Sequence, residues 1–270
     1  MLFILQDRNE SDAMFVEIEE LRYELDNNST HSYIIAKSSF FHKLHRDMNL
    51  KNAIPVGTIE FVQAYLAAVH GIQTMHPIEV PKALRLPKFL LREYQILKAN
   101  DIPGNVIKFV KNASVLKQPT IICNTDNIPE DFLKRDINVT IAGTTITEPG
   151  HLYQVSDILN IQAEYRVIVM NHKIMGIQFY DGICTVMPNE RDIQKIQEMV
   201  LRYSQVKDCP EAYGMDIAIV KKSDGTRDLA LIEIGPFVAM GSYGCRGTFL
   251  PQLYQKGIQW YLKHNTEVQE

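Results

Sequence analysis

The sequence predicts a mixed fold, in which an α/β first half precedes a second half made mostly of β-strands. Up to about residue 75, short apolar runs alternate with segments of helical periodicity, which is typical of a small α/β layer. After residue 104, apolar runs of strand length follow one another, and one helical segment interrupts the series. Hydrophobic residues at 46% and charged residues at 22% are ordinary for a folded globular chain.

The first half is predicted to alternate between the two kinds of element. Apolar residues recur on one face of a helix that follows the first strand, and Thr58 is expected to cap the second helix. The opening apolar run is too short to span a bilayer, so we expect a buried strand there. The predicted elements are strands at residues 1–6, 32–36 and 54–57 and helices at residues 11–27 and 58–69.

Residues 76–104 differ in character because four prolines punctuate them. A helix is predicted at residues 88–98, inside this stretch. Such a segment favours a connector between two domains. We therefore expect a first domain at residues 1–104, with the connector included, and a second domain at residues 105–270.

The second half is predicted to be built from strands joined by short turns. Asn171-His172 and Ser223-Asp224-Gly225 are turn sequences between apolar runs, which favours hairpins. A helix is predicted between the two hairpins. The predicted elements are strands at residues 106–110, 120–123, 139–142, 152–155, 165–170, 173–180, 212–220 and 228–234 and the helix at residues 189–203.

Composition excludes several classes of function. A net charge of −4 gives no general electrostatic footprint for nucleic acid. The four cysteines form no CxxC pair, which disfavours a zinc site or a disulfide framework and suits a reducing cytoplasm. No GxxxxGK[ST] occurs, so a P-loop is not the route to a nucleotide. We expect a cytoplasmic protein without nucleic-acid or membrane partners.

Charged residues inside apolar strands are the candidates for chemistry. Glu164 and Arg166 open one apolar run, and Asp216 and Glu233 sit inside two others joined by a polar turn. An unpaired buried carboxylate is costly, so a shared cation such as Mg²⁺ would explain both acids. The alternative is that these charges lie on the solvent faces of their strands.

Two lysines are further candidates for binding a ligand. Lys111 ends an apolar strand and Lys117 follows it by six residues, so both could reach phosphate groups as point charges. The alternative for this run is a solvated lysine cluster.

The order of these signals resembles the ATP-grasp superfamily, and more narrowly the clade of bacterial and phage ATP-grasp proteins named for one arginine and two lysines. The resemblance covers roughly three quarters of the chain. It is carried by IPVGTIEFV (54–62), FVKNASVLK (109–117), LYQVSDILNIQAEYRVIV (152–169) and LIEIGPFVAMGSYG (231–244). It implies two α+β subdomains that enclose ATP, preceded by a small Rossmann-like pre-ATP-grasp domain.

The resemblance also implies roles for the charged residues. Lys111 would hold the α- or β-phosphate, and Lys117 would reach the phosphates from the start of a loop. Arg166 would face the γ-phosphate or an acyl phosphate, where its planar donor fork suits a multiple charge. Asp216 and Glu233 would hold Mg²⁺ between phosphate oxygens. Lys117 and Arg166 would therefore be the catalytic residues.

The nucleoside would be bound by a second group of residues. Glu164 would accept hydrogen bonds from the ribose hydroxyls. The backbone of a hinge segment would contact the edge of the adenine. That segment consists of Gln154, Val155, Ser156, Asp157 and Ile158.

The implied function is an ATP- and Mg²⁺-dependent ligase that joins a carboxylate to an amine through an acyl phosphate. The carboxylate and the amine (amino acid, peptide or protein) are not identified by the sequence, and neither is the oligomeric state. The family's metal motif usually has Asn where Gly235 stands, and Lys117 precedes Gln118-Pro119-Thr120 instead of Phe-Thr-Gly. These departures keep two alternatives open, namely a nucleotide-binding module without ligase activity and a scaffold protein that binds no ATP.

The glycine-rich stretch after the metal motif adds a further candidate. Gly241, Gly244 and Gly247 surround Tyr243 and Arg246. We expect either a flexible loop over the acceptor pocket or a simple connection between a strand and a helix.

Overall fold

The structure, a computed structural model, describes residues 1–9, 12, 14–27, 30–41, 50–76, 78–114, 120–141 and 144–266. Its strands are β1 Leu2–Gln6, β2 Ser32–Ala36, β3 Ile54–Val56, β4 Tyr94–Lys98, β5 Ile107–Asn112, β6 Thr120–Asn124, β7 Ile137–Ile141, β8 Thr144–Glu148, β9 Leu152–Ser156, β10 Ile161–Met170, β11 Lys173–Gly182, β12 Ala212–Lys221 and β13 Arg227–Pro236. Its α-helices are α1 Phe15–Asp26, α2 Ile59–Tyr65, α3 Pro87–Leu90, α4 Glu190–Ser204 and α5 Leu250–Thr266.

The first part of the chain forms a small parallel sheet of order β2-β1-β3. The three residues at the centre of β1 are fully buried, which explains why this strand is a continuous apolar run. Thr58 occupies the N-cap position of α2, but its side chain makes no capping hydrogen bond. Instead its backbone N–H donates to Oε1 of Gln6 at 2.7 Å, so the predicted cap is wrong in its chemistry.

Two four-stranded antiparallel sheets form most of the remaining chain. The first, of order β4-β9-β5-β6, is called the hinge sheet here because it contains residues 154–156. The second, of order β11-β10-β12-β13, is called the acidic sheet because it carries Asp216 and Glu233. Strands β7 and β8 form a separate hairpin.

Helices cover both faces of the acidic sheet. Helix α4 packs its apolar side, which includes Ile196 and Met199, against one face. The other face contributes Ile168 to a core shared with β1 and with α5. The parallel sheet and the acidic sheet therefore share one hydrophobic core, which fixes the position of α1 relative to the acidic sheet.

Helix α4 begins with strong local signals. Asn189 accepts from the backbone N–H of Asp192, and the Asp192 side chain accepts from the backbone N–H of Asn189, which is a capping box. The predicted helix at residues 189–203 is confirmed to within one residue at each end.

One predicted element is wrong, and two elements were not predicted. The helix expected at residues 88–98 is wrong, because only α3 is helical and β4 pairs with β9 in the hinge sheet. Pairing with β9 supplies hydrogen bonds that an isolated segment lacks, so tertiary context overrides local helical periodicity. Strand β8 and helix α5 were not predicted from the sequence. Among the described helices, none is long and apolar enough to cross a membrane.

Candidate functional site

Three charged residues form a row across the acidic sheet. Arg166 on β10 is the register partner of Asp216 on β12, and Asp216 is the register partner of Glu233 on β13. Directly opposite residues of antiparallel strands share a face, so the three side chains emerge on the same side of the sheet. The order of charges across the row is positive, negative, negative.

Arg166 and Asp216 form a buried, bidentate ion pair. Nε of Arg166 donates to Oδ1 of Asp216 and Nη2 donates to Oδ2, both at 2.8 Å. Each residue is 8% exposed, so the alternative of solvated charges is wrong for this pair. Burial alone would lower the pKa of Arg166, but the hydrogen bonds and the charge of Asp216 raise it above its ordinary value.

Two tyrosines enclose the guanidinium of Arg166. Its Cζ lies 4.9 Å from the ring centroid of Tyr243 and 5.5 Å from that of Tyr180. Nη1 of Arg166 also donates to the carbonyl oxygen of Gly241 at 3.3 Å. The glycine-rich stretch therefore contacts Arg166 directly, and it also lines the cleft described below.

Lys111 joins the hinge sheet to the acidic sheet. Its Nζ on β5 donates to Oε2 of Glu233 on β13 at 2.8 Å. The Lys111 side chain is 27% exposed and that of Glu233 is 39% exposed, so water and ligands reach this pair. Lys108, three residues earlier, is paired instead with Asp157 at 2.6 Å.

An apolar pocket of about 180 Å³ opens on one side of the Lys111–Glu233 pair. Ile122, Ile158 and Ile161 line it although they are 61%, 47% and 39% exposed. Apolar side chains that line a pocket while exposed are suited to covering a flat apolar ligand. The remaining apolar lining consists of Phe109, Leu159 and Ile232.

The same pair also lines a larger cleft of about 600 Å³. Lys111 and Glu233 line both cavities, and Arg166 and Asp216 line the larger one. The two cavities thus share a pair of opposite charges. The cleft wall opposite the acidic sheet comes from α1, from the start of α2 and from the stretch after β13.

Glu164 lies two residues before Arg166 on β10 and is partly buried. Its register partners are Asp181 on β11 and Ala218 on β12. Burial, followed by the charges of Asp216, Asp181 and Glu233, raises the pKa of the Glu164 carboxyl. A raised pKa of this origin is relieved by a hydrogen-bond donor or a cation, which is what a bound ligand would bring.

Most of the backbone of the predicted hinge segment is paired within the hinge sheet. Strand β9 is paired with β4 on one side and with β5 on the other, so the backbones of Gln154, Val155 and Ser156 belong to the sheet ladder. The N–H of Asp157 donates to the carbonyl oxygen of Glu93 at 3.3 Å. Only the segment beyond Ser156 borders the apolar pocket without pairing on both sides. Contact between residues 154–156 and a base stays a prediction, and in this structure the strand that contains them is paired on both sides.

Asp216 and Glu233 could bind a divalent cation only together with ligands from outside the protein. Within the described ranges, no group of three or more His, Cys, Asp or Glu side chains could hold a metal. Asp216 and Glu233 supply hard oxygen ligands, which Mg²⁺ prefers, and phosphate oxygens and water usually complete such a site. The residues fit a cation that arrives with a phosphate group. Gly235 leaves room at the family's third ligand position, because an added Cβ would lie 3.5 Å from Cε of Met240.

Sequence reasoning missed two residues of the candidate site, and one residue that it predicted is not described by the structure. Arg92 donates to the carbonyl oxygen of Leu231 at 2.8 Å and lines the apolar pocket, yet its local sequence gives no sign of this. Tyr180 encloses Arg166 from β11, where an exposed aromatic residue is unremarkable in sequence. Lys117 lies outside the described residues.

Comparisons with known proteins bear on the family and the fold of this chain. A family model described as an ATP-grasp domain, of family 2 of the arginine-and-two-lysine clade, matches residues 101–250. The D-alanine–D-alanine ligase from Bacillus anthracis aligns with a TM-score of 0.51 at 10% identity over 98% of this chain and 99% of that chain. The search of curated proteins found no match.

Two other solved structures have the same fold. The RimK domain protein ATP-grasp from Sphaerobacter thermophilus aligns with a TM-score of 0.50 at 11% identity, over 97% of this chain and 99% of that chain. D-alanyl-alanine synthetase A from Vibrio cholerae aligns with a TM-score of 0.50 at 13% identity, over 96% and 98%. Because the family model spans more than half of the chain and these structures share the fold, this chain belongs to the ATP-grasp superfamily.

Proposed function

We propose that this protein is an ATP- and Mg²⁺-dependent ligase that joins a carboxylate to an amine through an acyl phosphate. The observation that carries the proposal is the meeting of two cavities at one charged pair. An apolar pocket and a charged cleft share Lys111 and Glu233, and Arg166 and Asp216 stand on the cleft side. A nucleotide has the same division, with a flat apolar base at one end and a charged phosphate chain at the other.

The nucleoside would lie in the apolar pocket between the two large sheets. Ile122, Ile158 and Ile232 would contact the faces of the base. Asp157, which Lys108 holds through its side chain, would fix the segment beside the edge of the base. Glu164 would accept from the ribose hydroxyls, which would also relieve its crowded acidic surroundings.

The phosphate chain would run past Lys111 toward Arg166. Lys111 would exchange Glu233 for a phosphate oxygen, and Arg166 would present its fork to the transferred group. Lys117 would add a second lysine from the neighbouring loop. Bound Mg²⁺ would neutralise phosphate charge and would be held by Asp216 and Glu233. These cations would stabilise charge that develops during transfer, which is the main contribution proteins make to phosphoryl transfer.

The chemistry explains why ATP is needed. An amine cannot displace an oxide ion from a carboxylate, so the carboxylate oxygen first attacks the γ-phosphorus and ADP leaves. The amine nitrogen then attacks the acyl carbon, phosphate leaves, and the amine loses a proton. The cleft volume of about 600 Å³ is in the range of small-molecule sites, and it would receive the carboxylate and the amine. We also propose that residues 1–104 act as a pre-ATP-grasp domain that forms one wall of this cleft.

Hydroxylamine tests the ligase activity before either natural substrate is known, because it traps acyl phosphates as hydroxamates. The protein would be incubated with ATP, Mg²⁺, hydroxylamine and pools of amino acids as carboxylates. We expect hydroxamate and ADP in equal amounts from at least one pool. Arg166→Lys should abolish both products while ATP binding persists.

The second candidate function is a nucleotide-binding module without ligase activity, and Gly235 favours it. A missing third metal ligand would weaken catalysis more than binding, since binding also uses the apolar pocket. ATP binding without hydroxamate from any pool of amino acids or short peptides would favour this module over the ligase.

A further inference from the structure

The charged cleft carries one carboxylate that the proposed nucleotide site does not use. Glu17 on α1 lines the cleft together with Lys111, Arg166, Asp216 and Glu233. The two cations of this set are paired with Asp216 and Glu233. Among the described residues Glu17 has neither an ion pair nor a hydrogen bond, so the cleft has one uncompensated negative charge.

Apolar side chains line the same cleft as Glu17. They include Met14, Ile59, Met75 and Met240, and Met75 is 4% exposed. Methionine side chains adapt their shape to apolar ligands. A ligand bound here would therefore combine one positive charge with an apolar body.

Glu17 lies close to the position where the transferred group would be bound. A Cβ added to Gly241 would lie 3.1 Å from Oε1 of Glu17. The carbonyl oxygen of the same glycine accepts from Nη1 of Arg166 at 3.3 Å. Glu17 and Arg166 thus both lie near the buried Gly241. A cation held by Glu17 would stand beside a group held by Arg166.

We propose that Glu17 binds the ammonium group of the acceptor, and that the acceptor is a primary amine with an apolar body, such as the N-terminus of a short apolar peptide. This inference rests on the proposed ligase function, because the amine must approach the acyl group near Arg166. A polyamine is disfavoured, since Asp216 and Glu233 are already paired and Glu17 alone, among the described acidic residues of the cleft, is left for its several charges. The bound ammonium group would give up one proton before its nitrogen can attack, and the nitrogen would lose a second proton as the amide forms and phosphate leaves.

Binding of a defined probe tests the proposal without knowledge of the natural acceptor. The probe is L-leucyl-L-leucinamide, titrated calorimetrically into the protein saturated with ADP and Mg²⁺. N-acetyl-L-leucyl-L-leucinamide has the same body without the amine, and spermidine has the charges without the apolar body. Glu17→Gln removes the carboxylate, and Glu19→Gln removes an equal charge from the exposed side of the same helix.

We expect the free dipeptide amide to bind the wild type and Glu19→Gln equally. Glu17→Gln should weaken this binding by at least about tenfold, the factor that corresponds to loss of one charge-assisted hydrogen bond. The acetylated probe and spermidine should bind none of the three proteins. Equal binding to Glu17→Gln, binding of the acetylated probe, preference for spermidine or no binding to the wild type would each overturn the proposal.

The first step of the same experiment separates the two hypotheses. ADP and Mg²⁺ are titrated into each variant before the probe. Failure of the wild type to bind nucleotide would contradict the proposed function, and the probe titration without nucleotide would still test Glu17. Normal nucleotide binding by Glu17→Gln shows that the variant is folded and that any loss is confined to the amine.

Discussion

Arg166 and Asp216 would serve both the stability of the protein and the binding of ligands. In the structure each satisfies the other through two hydrogen bonds. In the proposed complex Arg166 turns to phosphate and Asp216 to Mg²⁺, so the pair would be exchanged for ligand contacts. The stability of the free protein and the function of the site would then depend on the same two side chains.

Removal of Arg166 alone should destabilise the protein. Arg166→Met leaves a carboxylate that is 8% exposed without its partner, which should cost about 3–5 kcal/mol in the free energy of unfolding. Adding Asp216→Leu should recover most of the loss, because no buried charge remains. Urea denaturation of the single and double variants measures both effects.

A surface arginine provides the control for this pair. Arg202→Met removes a guanidinium from an exposed pair with Glu198, whose side chains are 43% and 38% exposed. Its effect should stay below about 0.5 kcal/mol. If the double variant is no more stable than Arg166→Met, the unpaired carboxylate is not the cause of the loss.

Substitutions at Gly235 test whether this position can supply a metal ligand. Asn at this position would restore the family's third ligand, and an added Cβ would make an ordinary contact with Met240 at 3.5 Å. Gly235→Asn should lower, by severalfold, the Mg²⁺ concentration that gives half of the ATP-induced thermal shift. Gly235→Ala adds bulk without a ligand atom and should leave that concentration unchanged. An equal effect of both substitutions would mean that the site does not bind metal through residue 235.

At the scale of the element, the hairpin of β12 and β13 presents both acidic residues and is anchored at its far end by Asp228. Nζ of Lys195 donates to Oδ1 of Asp228 and Nζ of Lys222 to Oδ2, both at 2.8 Å. Burial acts to raise the pKa of Asp228, but the hydrogen bonds from the two lysines lower it from 3.8 to about 2. This cluster therefore ties α4 to the hairpin.

Asp228→Asn should destabilise the protein by about 2 kcal/mol at pH 7, the free energy that corresponds to this pKa shift. A carboxylate with a lowered folded-state pKa stabilises the fold above its unfolded pKa. The contribution is lost as the pH falls from 3.8 through about 2. Denaturation curves of the two proteins should therefore differ at pH 7 and converge toward pH 2. A difference that is constant with pH would contradict the role of the charge.

The elements that the sequence predicts well are those whose signals are local. Strand β2 agrees with the apolar run that predicted it, and α4 begins at its capping box. Strand β4 was predicted as helix because its structure depends on β9, more than fifty residues away in sequence. The charges of the site were predicted as candidates, but the pairing of Lys111 with Glu233 joins two separate sheets and no local pattern encodes it.

At the scale of the whole molecule, one shared core positions the cleft. Residues of the parallel sheet, of α5 and of one face of the acidic sheet belong to the same hydrophobic cluster. Glu17 on α1 therefore has a fixed place in the cleft that Arg166 also lines. The hinge sheet, by contrast, has its own small core around Val110 and Tyr153. Between the two large sheets, the Lys111–Glu233 ion pair and the hydrogen bonds of Arg92 are direct links.

The central claim is that nucleotide is bound between the two large sheets, and a thermal-shift titration with ATP and Mg²⁺ tests it most directly. At about a hundred times the dissociation constant the ligand should stabilise the wild type by about 2.7 kcal/mol, or roughly 5 to 10 °C. Lys111→Met should lose most of this shift, whereas Lys88→Met, which breaks an exposed pair with Glu198, should retain it. No shift at millimolar ATP, or an undiminished shift in Lys111→Met, would contradict the claim.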